Sequence, residues 1–301
     1  MTSDVAADTG IHIGDGHLLI RQQGVDTVYA YDVTGNAIDD QLYLLSHVVP
    51  TVERAYGLHK FGVHLDSGRT WMYVIFFSKN MALFKHNTLG LPNGRKLNLS
   101  IPQPILDDSR LMKYCAREIL STDGLLGFCT ASKNRLHKYP RIQIKMTAGV
   151  VLEQLAKFLV QQISMKVSCR MNTESTEVNR RPRYILQING LDDVEKWRKE
   201  IGFSNPSHIS RLMVFEELGE CPPSTSVVDR LAFLSNCSCS LKAEGPIPVS
   251  AFDSVISKMN RQFGSPIADA HTALEQIQRV NQRLRHLNRE LPRIVQCENE
   301  I

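Results

Sequence analysis

The sequence predicts an α+β fold in which one αββαββα unit occurs twice about a pseudo-two-fold axis, with a helical extension behind it. Three observations carry this. Two apolar, helix-patterned stretches end alike, in Gly14-Asp15-Gly16 and Thr122-Asp123-Gly124, about one small-domain length apart. After each, segments of period-two alternation and segments of helical periodicity follow in the same order. The chain of 301 residues, 43% hydrophobic, is also long enough to bury a sizeable core. The expected boundaries are 1–106 for the N-terminal half, 107–220 for the second half and 221–301 for the extension.

In the first half, Asp4 to Gly14 reads as a helix stopped by Gly14-Asp15-Gly16. Strands are expected at His17–Gln23 and Thr27–Val33 around the turn Gly24-Val25-Asp26. Asp39 to Tyr56 has Leu42, Leu45, Val48, Val49 and Val52 at amphipathic-helix spacing, bent by Pro50. Strands Phe61–Leu65 and Thr70–Phe77 flank the turn Asp66-Ser67-Gly68-Arg69, and a short helix and the loop Gly90–Gly94 close the half. The second half repeats the order: strands Leu125–Thr130 and Arg141–Thr147, a helix from Gly149 to Ile163, strands Lys166–Asn172 and Arg183–Ile188, and a helix Asp192–Ile201. The similarity lies in element order more than in residue identity.

Composition narrows the classes. Seven cysteines, odd in number and scattered, form no disulfide framework, and Cys221 with Cys237-Ser-Cys239 lacks a second close ligand pair for zinc. The acidic N-terminus is no signal peptide and no apolar run reaches membrane length, so a soluble, cytoplasmic chain is expected, with no membrane partner. A net charge of +4 is compatible with a polyanionic partner without establishing one.

The strand Arg141–Thr147 points to that partner. Ile142, Ile144 and Met146 alternate with Arg141, Gln143, Lys145 and Thr147, and a later strand sets Arg183, Gln187 and Asn189 against Tyr184, Leu186 and Ile188, with Ile185 interrupting the polar face. An ordinary solvated sheet face is the competing reading. The polar face is nearly free of acids, however, and long donors and amides are the groups that read base edges in a major groove. Basic tips carrying Lys133, Arg135 and Lys138, and Arg180, Arg181 and Arg183, suit a phosphate backbone. On the first-half strand His17–Gln23, Arg21 and Gln23 are expected to take the same part.

The paired Asp15 and Asp123 are candidate metal ligands, because duplicated helix ends on a pseudo-two-fold axis bring two carboxylates together. An isolated Asp-Gly would read as a turn; its second copy in matching context favours the site.

These residues resemble the LAGLIDADG homing endonucleases, most closely the single-chain, two-motif type of archaeal introns. Gly10-Ile-His-Ile-Gly-Asp-Gly-His-Leu18 is similar to the first motif and Arg117-Glu-Ile-Leu-Ser-Thr-Asp-Gly-Leu125 to the second. Gly90-Leu-Pro-Asn-Gly-Arg-Lys96 leading to Ile101-Pro-Gln-Pro-Ile105, and Ile201-Gly-Phe-Ser-Asn-Pro-Ser-His208, add to the likeness, which spans about Asp4 to Pro223. The resemblance implies two motif helices packed centrally under two antiparallel saddles, and a monomer that cuts both strands of double-stranded DNA across the minor groove at a long, partly asymmetric site. It implies Mg²⁺ (or Mn²⁺) held by Asp15 and Asp123 with the carbonyls of Gly14 and Thr122, and Lys96 as a basic residue near the reacting phosphate. The comparable position in the second half is Ser207.

Two departures stand out. Glu118 occupies the place equivalent to Gly10, where a charge at a helix seam must be neutralised, paired or pushed outward. Ser121 and Ile13 stand where the family usually has an acid two residues before the metal-binding Asp. A non-cleaving binding protein on the same scaffold, such as an intron RNA-splicing maturase, is the alternative. In the extension, Ala270 to Leu291 has the periodicity of a packing or self-associating helix, with DNA contact as the second reading.

Overall fold

The computed structural model describes residues 1–37, 39–65, 71–96, 99–130, 137–172, 183–235, 254–259 and 261. In the first half run α1 (Ser3–Gly14), β1 (Gly16–Gln23), β2 (Asp26–Asn36), α2 (Gln41–Tyr43), α3 (Val49–Tyr56), β3 (Gly62–Leu65), β4 (Trp71–Phe77), α4 (Lys79–Leu83) and α5 (Gln103–Leu106). The second half has α6 (Ser109–Asp123), β5 (Gly124–Thr130), β6 (His137–Met146), α7 (Gly149–Gln161), β7 (Val167–Asn172), β8 (Arg183–Asn189) and α8 (Leu191–Glu200), followed by α9 (Pro206–Leu218) and α10 (Val227–Leu234).

The central feature is the pairing of α1 with α6. Both helices begin at a side-chain cap: Thr2 accepts from Val5 N at 3.3 Å, and Asp108 accepts from Arg110 N at 2.8 Å and Leu111 N at 3.1 Å. Their apolar residues fill the shared core, including Ile11, Ile13, Met112, Ile119 and Leu120. Close approach requires the glycines: a Cβ on Gly10 would run into the Cys115 carbonyl and one on Gly14 into the Thr122 hydroxyl. Both helices therefore end side by side.

Each helix feeds a four-stranded antiparallel sheet, of order β1-β2-β4-β3 in one half and β5-β6-β8-β7 in the other. The registers correspond as well. Gly16 pairs with Val33 and Val33 with Val74; Gly124 pairs with Ile144 and Ile144 with Leu186. The inward residues Leu18, Val33, Val74 and Phe76, and Leu126, Ile144, Leu186 and Ile188, are buried against helices. This is the expected α+β duplication.

The structure departs from the sequence reading in particular places. The expected helix over 39–56 is three pieces: α2, a π-helical turn Leu44–Val48, and α3 with Pro50 in its first turn. Pro50 has no N–H to give and its ring would meet the carbonyl four residues back, so the wider turn absorbs it without a chain break. Strand β6 starts at His137, four residues earlier than expected, and stops at Met146, which leaves Thr147 just beyond it. Helix α9 was not among the expected elements. Asn205 caps it, accepting from Ser207 N at 2.8 Å, and Pro206 opens its first turn. Helix α10 packs on α9 through Arg230, buried to 1% exposure, which donates to Ser210 Oγ at 2.9 Å and to the Thr225 carbonyl. The turn 66–69, Cys237, Cys239 and the stretch Ala270–Leu291 lie outside the described residues. Among the described residues, no helix is long and apolar enough to cross a membrane.

Candidate active site and nucleic-acid interface

Asp15 is the C-terminal cap of α1 and Asp123 the last residue of α6. Because the helices touch at Gly14 and Thr122, the two carboxylates share one small region. Both carboxyls are pushed up by burial; Asp15, raised further by the charge of Asp123, reaches about 7. Lys96 opposes the rise at both carboxyls, and Asp40, a third buried carboxylate, adds to it at Asp15. Two helix C-termini converge here, and their terminal carbonyls also favour a cation.

Local structure explains how Lys96 arrives. The loop before it zips onto the free edge of β1: Ile20 N donates to Asn93 Oδ1 at 2.8 Å, Asn93 Nδ2 to the Ile20 carbonyl at 2.9 Å, and Gly94 N to the Leu18 carbonyl at 2.8 Å. Two residues on, Lys96 Nζ donates to the Gly14 carbonyl and, at 3.2 Å, to the Ile13 carbonyl. Burial pushes its ammonium below the ordinary range, against the pull of Asp123 and Asp15. The second half has a neutral group in that role. Asn205 Nδ2 donates to the Ser121 carbonyl at 2.8 Å, and Ser121 stands to Asp123 as Ile13 does to Asp15. The expected counterpart, Ser207, instead accepts from Arg230 at 3.2 Å and is corrected accordingly. Asn205 and Asp40 were missed in the sequence; the Asn-Pro of a capped helix start was the available signal for Asn205.

The second sheet keeps the expected polar face. On β6, Arg141, Gln143 and exposed Lys145 alternate with buried Ile142, Ile144 and Met146. Arg141 Nε donates to Asn189 Oδ1 at 2.8 Å across the register pair, and Gln187, exposed Arg183 and exposed Arg170 share that face. Exposed Lys138 points from the opposite side of the strand, two residues before buried Pro140. Arg21 and Gln23 are exposed at the far end of β1. Lys133, Arg135, Arg180 and Arg181 lie outside the described residues.

Solved structures similar to this chain are LAGLIDADG homing endonucleases. I-DmoI in complex with DNA and Ca is 18% identical over 66% of this chain and 89% of its own, with a TM-score of 0.47. The LAGLIDADG meganuclease I-AabMI bound to uncleaved DNA is 14% identical over 88% of this chain and 98% of its own, with a TM-score of 0.45. I-SmaMI bound to an uncleaved DNA target with calcium ions is 11% identical over 74% and 94%, with a TM-score of 0.44. No protein-family model and no curated protein sequence matches the chain.

Glu118 resolves as paired, within the seam. Fully buried, it accepts from Tyr43 OH at 2.9 Å and Ser204 Oγ at 2.8 Å, and lies 3.0 Å from His47 Nε2 and 3.5 Å from Arg117 Nε. Burial pushes its carboxyl up, but His47, Arg117 and Ser204 outweigh that and hold it below the ordinary value. Helix α1 has a buried carboxylate of its own: Asp8 pairs with Lys85, whose Nζ also sits 3.6 Å from the Tyr31 ring centroid, and accepts from Tyr56 OH at 2.6 Å. Each motif helix thus holds a second, compensated acid away from the helix ends.

Proposed function

We propose that the chain is a site-specific, divalent-cation-dependent endonuclease that cuts both strands of double-stranded DNA across the minor groove. The observation that carries this reading is the convergence of Asp15 and Asp123 at the ends of two paired helices, beneath two sheets of matched topology. Asp15 near 7 marks a seat with too much negative charge for its own protein groups. That costs folding stability, and binding of nucleic acid alone does not require it.

The donors fit a hard cation. Among the described residues no cluster of three or more His, Cys, Asp or Glu side chains could hold a metal. Asp15 and Asp123 would hold it together with water and the carbonyls of Gly14 and Thr122, an all-oxygen set suited to Mg²⁺ or Mn²⁺. The Gly14 carbonyl retains one lone pair beyond the bond from Lys96. When bound, such an ion lowers the pKa of an attacking water and offsets charge on the phosphoryl and leaving oxygens. The protein's own groups do the rest. Lys96, anchored on the α1 carbonyls, places an ammonium beside the reacting phosphate, while the second sheet's face engages phosphates and base edges through Arg141, Gln143, Lys145, Arg183 and Gln187. One chain supplies both half-sites, consistent with a monomer.

The test is cleavage of a randomised duplex library with Mg²⁺ or Mn²⁺. Sequence-specific double-strand breaks are expected, with Asp15→Asn or Asp123→Asn lowering the rate by about a thousandfold or more while binding is kept. Breaks that survive both substitutions overturn the assignment, and tight binding with no cleavage in any metal favours a binding protein such as a splicing maturase acting on intron RNA.

A further inference from the structure

Superposing the two halves by their hydrogen-bond registers exposes an inequality at the site. Val33 corresponds to Ile144 and Val74 to Leu186, so Thr34 stands where Lys145 is, and Trp71 where Arg183 is. Lys96 and Asn205 are the counterparts at the helix ends. Positions that carry three cations around one half of the site carry none around the other.

The three cations also share one space. A cavity of about 310 Å³ beside Asp123 is lined by Gly14, Lys96, Asp123, Lys145, Thr147 and Arg183. Lys96 is held over the α1 carbonyls. Lys145 and Arg183 are exposed and, among the described residues, neither has a carboxylate partner. Three positive charges around one carboxylate, with a hydroxyl and an open mouth, fit a tetrahedral oxyanion of a nucleic-acid backbone.

We infer that Lys96, Lys145 and Arg183, with Thr147, form a one-sided phosphate clamp that seats the backbone of one DNA strand at Asp123, so that this strand is nicked before the other. The strand order rests on the endonuclease reading above; the phosphate site does not. On the other half, Thr34, Trp71 and Asn205 offer a hydroxyl, an indole and an amide, which leave the second strand's phosphate with less charge compensation. A duplicated scaffold thereby treats two chemically identical bonds unequally.

Two measurements decide it. In the first, inorganic phosphate is titrated into isotope-labelled full-length protein at low salt while amide shifts are followed. Saturable shifts at Gly14, Asp123, Lys145 and Thr147 that vanish in the Lys145→Gln/Arg183→Gln variant support the clamp; no saturable shift there, or the same shift in the variant, overturns it. Both side chains are exposed, so the variant's melting temperature checks that it remains folded. In the second, a duplex recovered from the library is end-labelled on either strand. The wild type is expected to accumulate one nicked species, and the double variant to slow that first nick by about tenfold or more, with the other strand changed less than about threefold. Equal slowing of both strands overturns the one-sidedness. A protein that cuts nothing removes the endonuclease reading and leaves the phosphate titration to decide the pocket.

Discussion

The two sheets share strand order and register, yet their open faces have little chemistry in common. Where the second sheet has Arg141, Gln143, Lys145, Arg183, Gln187 and Asn189, the corresponding positions of the first have Ala30, Asp32, Thr34, Trp71, Ile75 and Phe77. Trp71 is 51% and Phe77 64% exposed there. The inward faces, by contrast, are uniformly apolar in both sheets. Burial constrains one face of each strand, and a slip of one residue would expose the core, so the duplicated backbone holds. The outward face bears no such cost and is free to diverge. The two half-sites therefore share geometry and differ in charge.

The motif helices extend the comparison inward. Helix α1 buries Asp8 against Lys85, and α6 buries Glu118 against His47, Tyr43 and Ser204. The first is a close ion pair with an aromatic lid; the second is a network of hydrogen bonds around a carboxylate. The largest expected effect tests the first. Asp8→Ala leaves the fully buried Lys85 ammonium without its counter-ion and is expected to cost about 3–5 kcal/mol, measured by urea unfolding. Asp8→Leu with Lys85→Met removes both charges and is expected to restore most of that loss. A single variant as stable as wild type would show that the pair is not what holds this half.

Asp15 and Asp123 sharpen the comparison in the opposite direction. The carboxyl of Asp15 is raised from 3.8 to about 7 in the folded chain, by burial first and by Asp123 second. Between about pH 4 and pH 7 the folded state keeps a proton that the unfolded state has released, so this group lowers stability as pH rises through that window. Asp15→Asn, assayed without metal at pH 8, is therefore expected to gain on the order of 2–4 kcal/mol, and added Mg²⁺ to stabilise the wild type but not the variant. A variant less stable than wild type at that pH would contradict the account.

The smallest effect concerns Glu118. Its carboxyl lies below the ordinary value, so the stabilisation is fully present above the ordinary carboxylate range and is lost as pH falls through the depressed value. Glu118→Gln keeps the packing while dropping the charge, with an expected cost of about 1.5–3 kcal/mol at neutral pH and a flatter acid limb in the pH–stability profile. An unchanged acid limb would place the pH dependence elsewhere; His208, buried and pushed down to about 3, is the next group to examine, since it contributes stability above its ordinary range that is lost as pH falls.

Local patterns made much of this protein legible. Period-two alternation located β6 and β8, apolar 3.6-residue spacing located α7, and the repeated Asp-Gly after a helix located both carboxylates, because each depends on neighbours a few residues away. What chain-local reasoning could not supply is chemistry between distant segments. Tyr43 and Glu118 are 75 residues apart, Asp8 and Lys85 77, and Lys96 and Gly14 82, and no spacing rule connects them. Thr147 and the start of β6 were misplaced because strand ends are set by the partner strand. Ser207 was taken for the counterpart of Lys96 because a motif position was counted where a hydrogen bond decides. The sequence by itself determined a doubled αββαββα chain with an aspartate at each helix end. Only the tertiary structure decided that those ends share one buried, over-negative seat, that Glu118 is compensated within the seam, and that the cations gather on one side, because charge acts through space and the fold alone sets those distances.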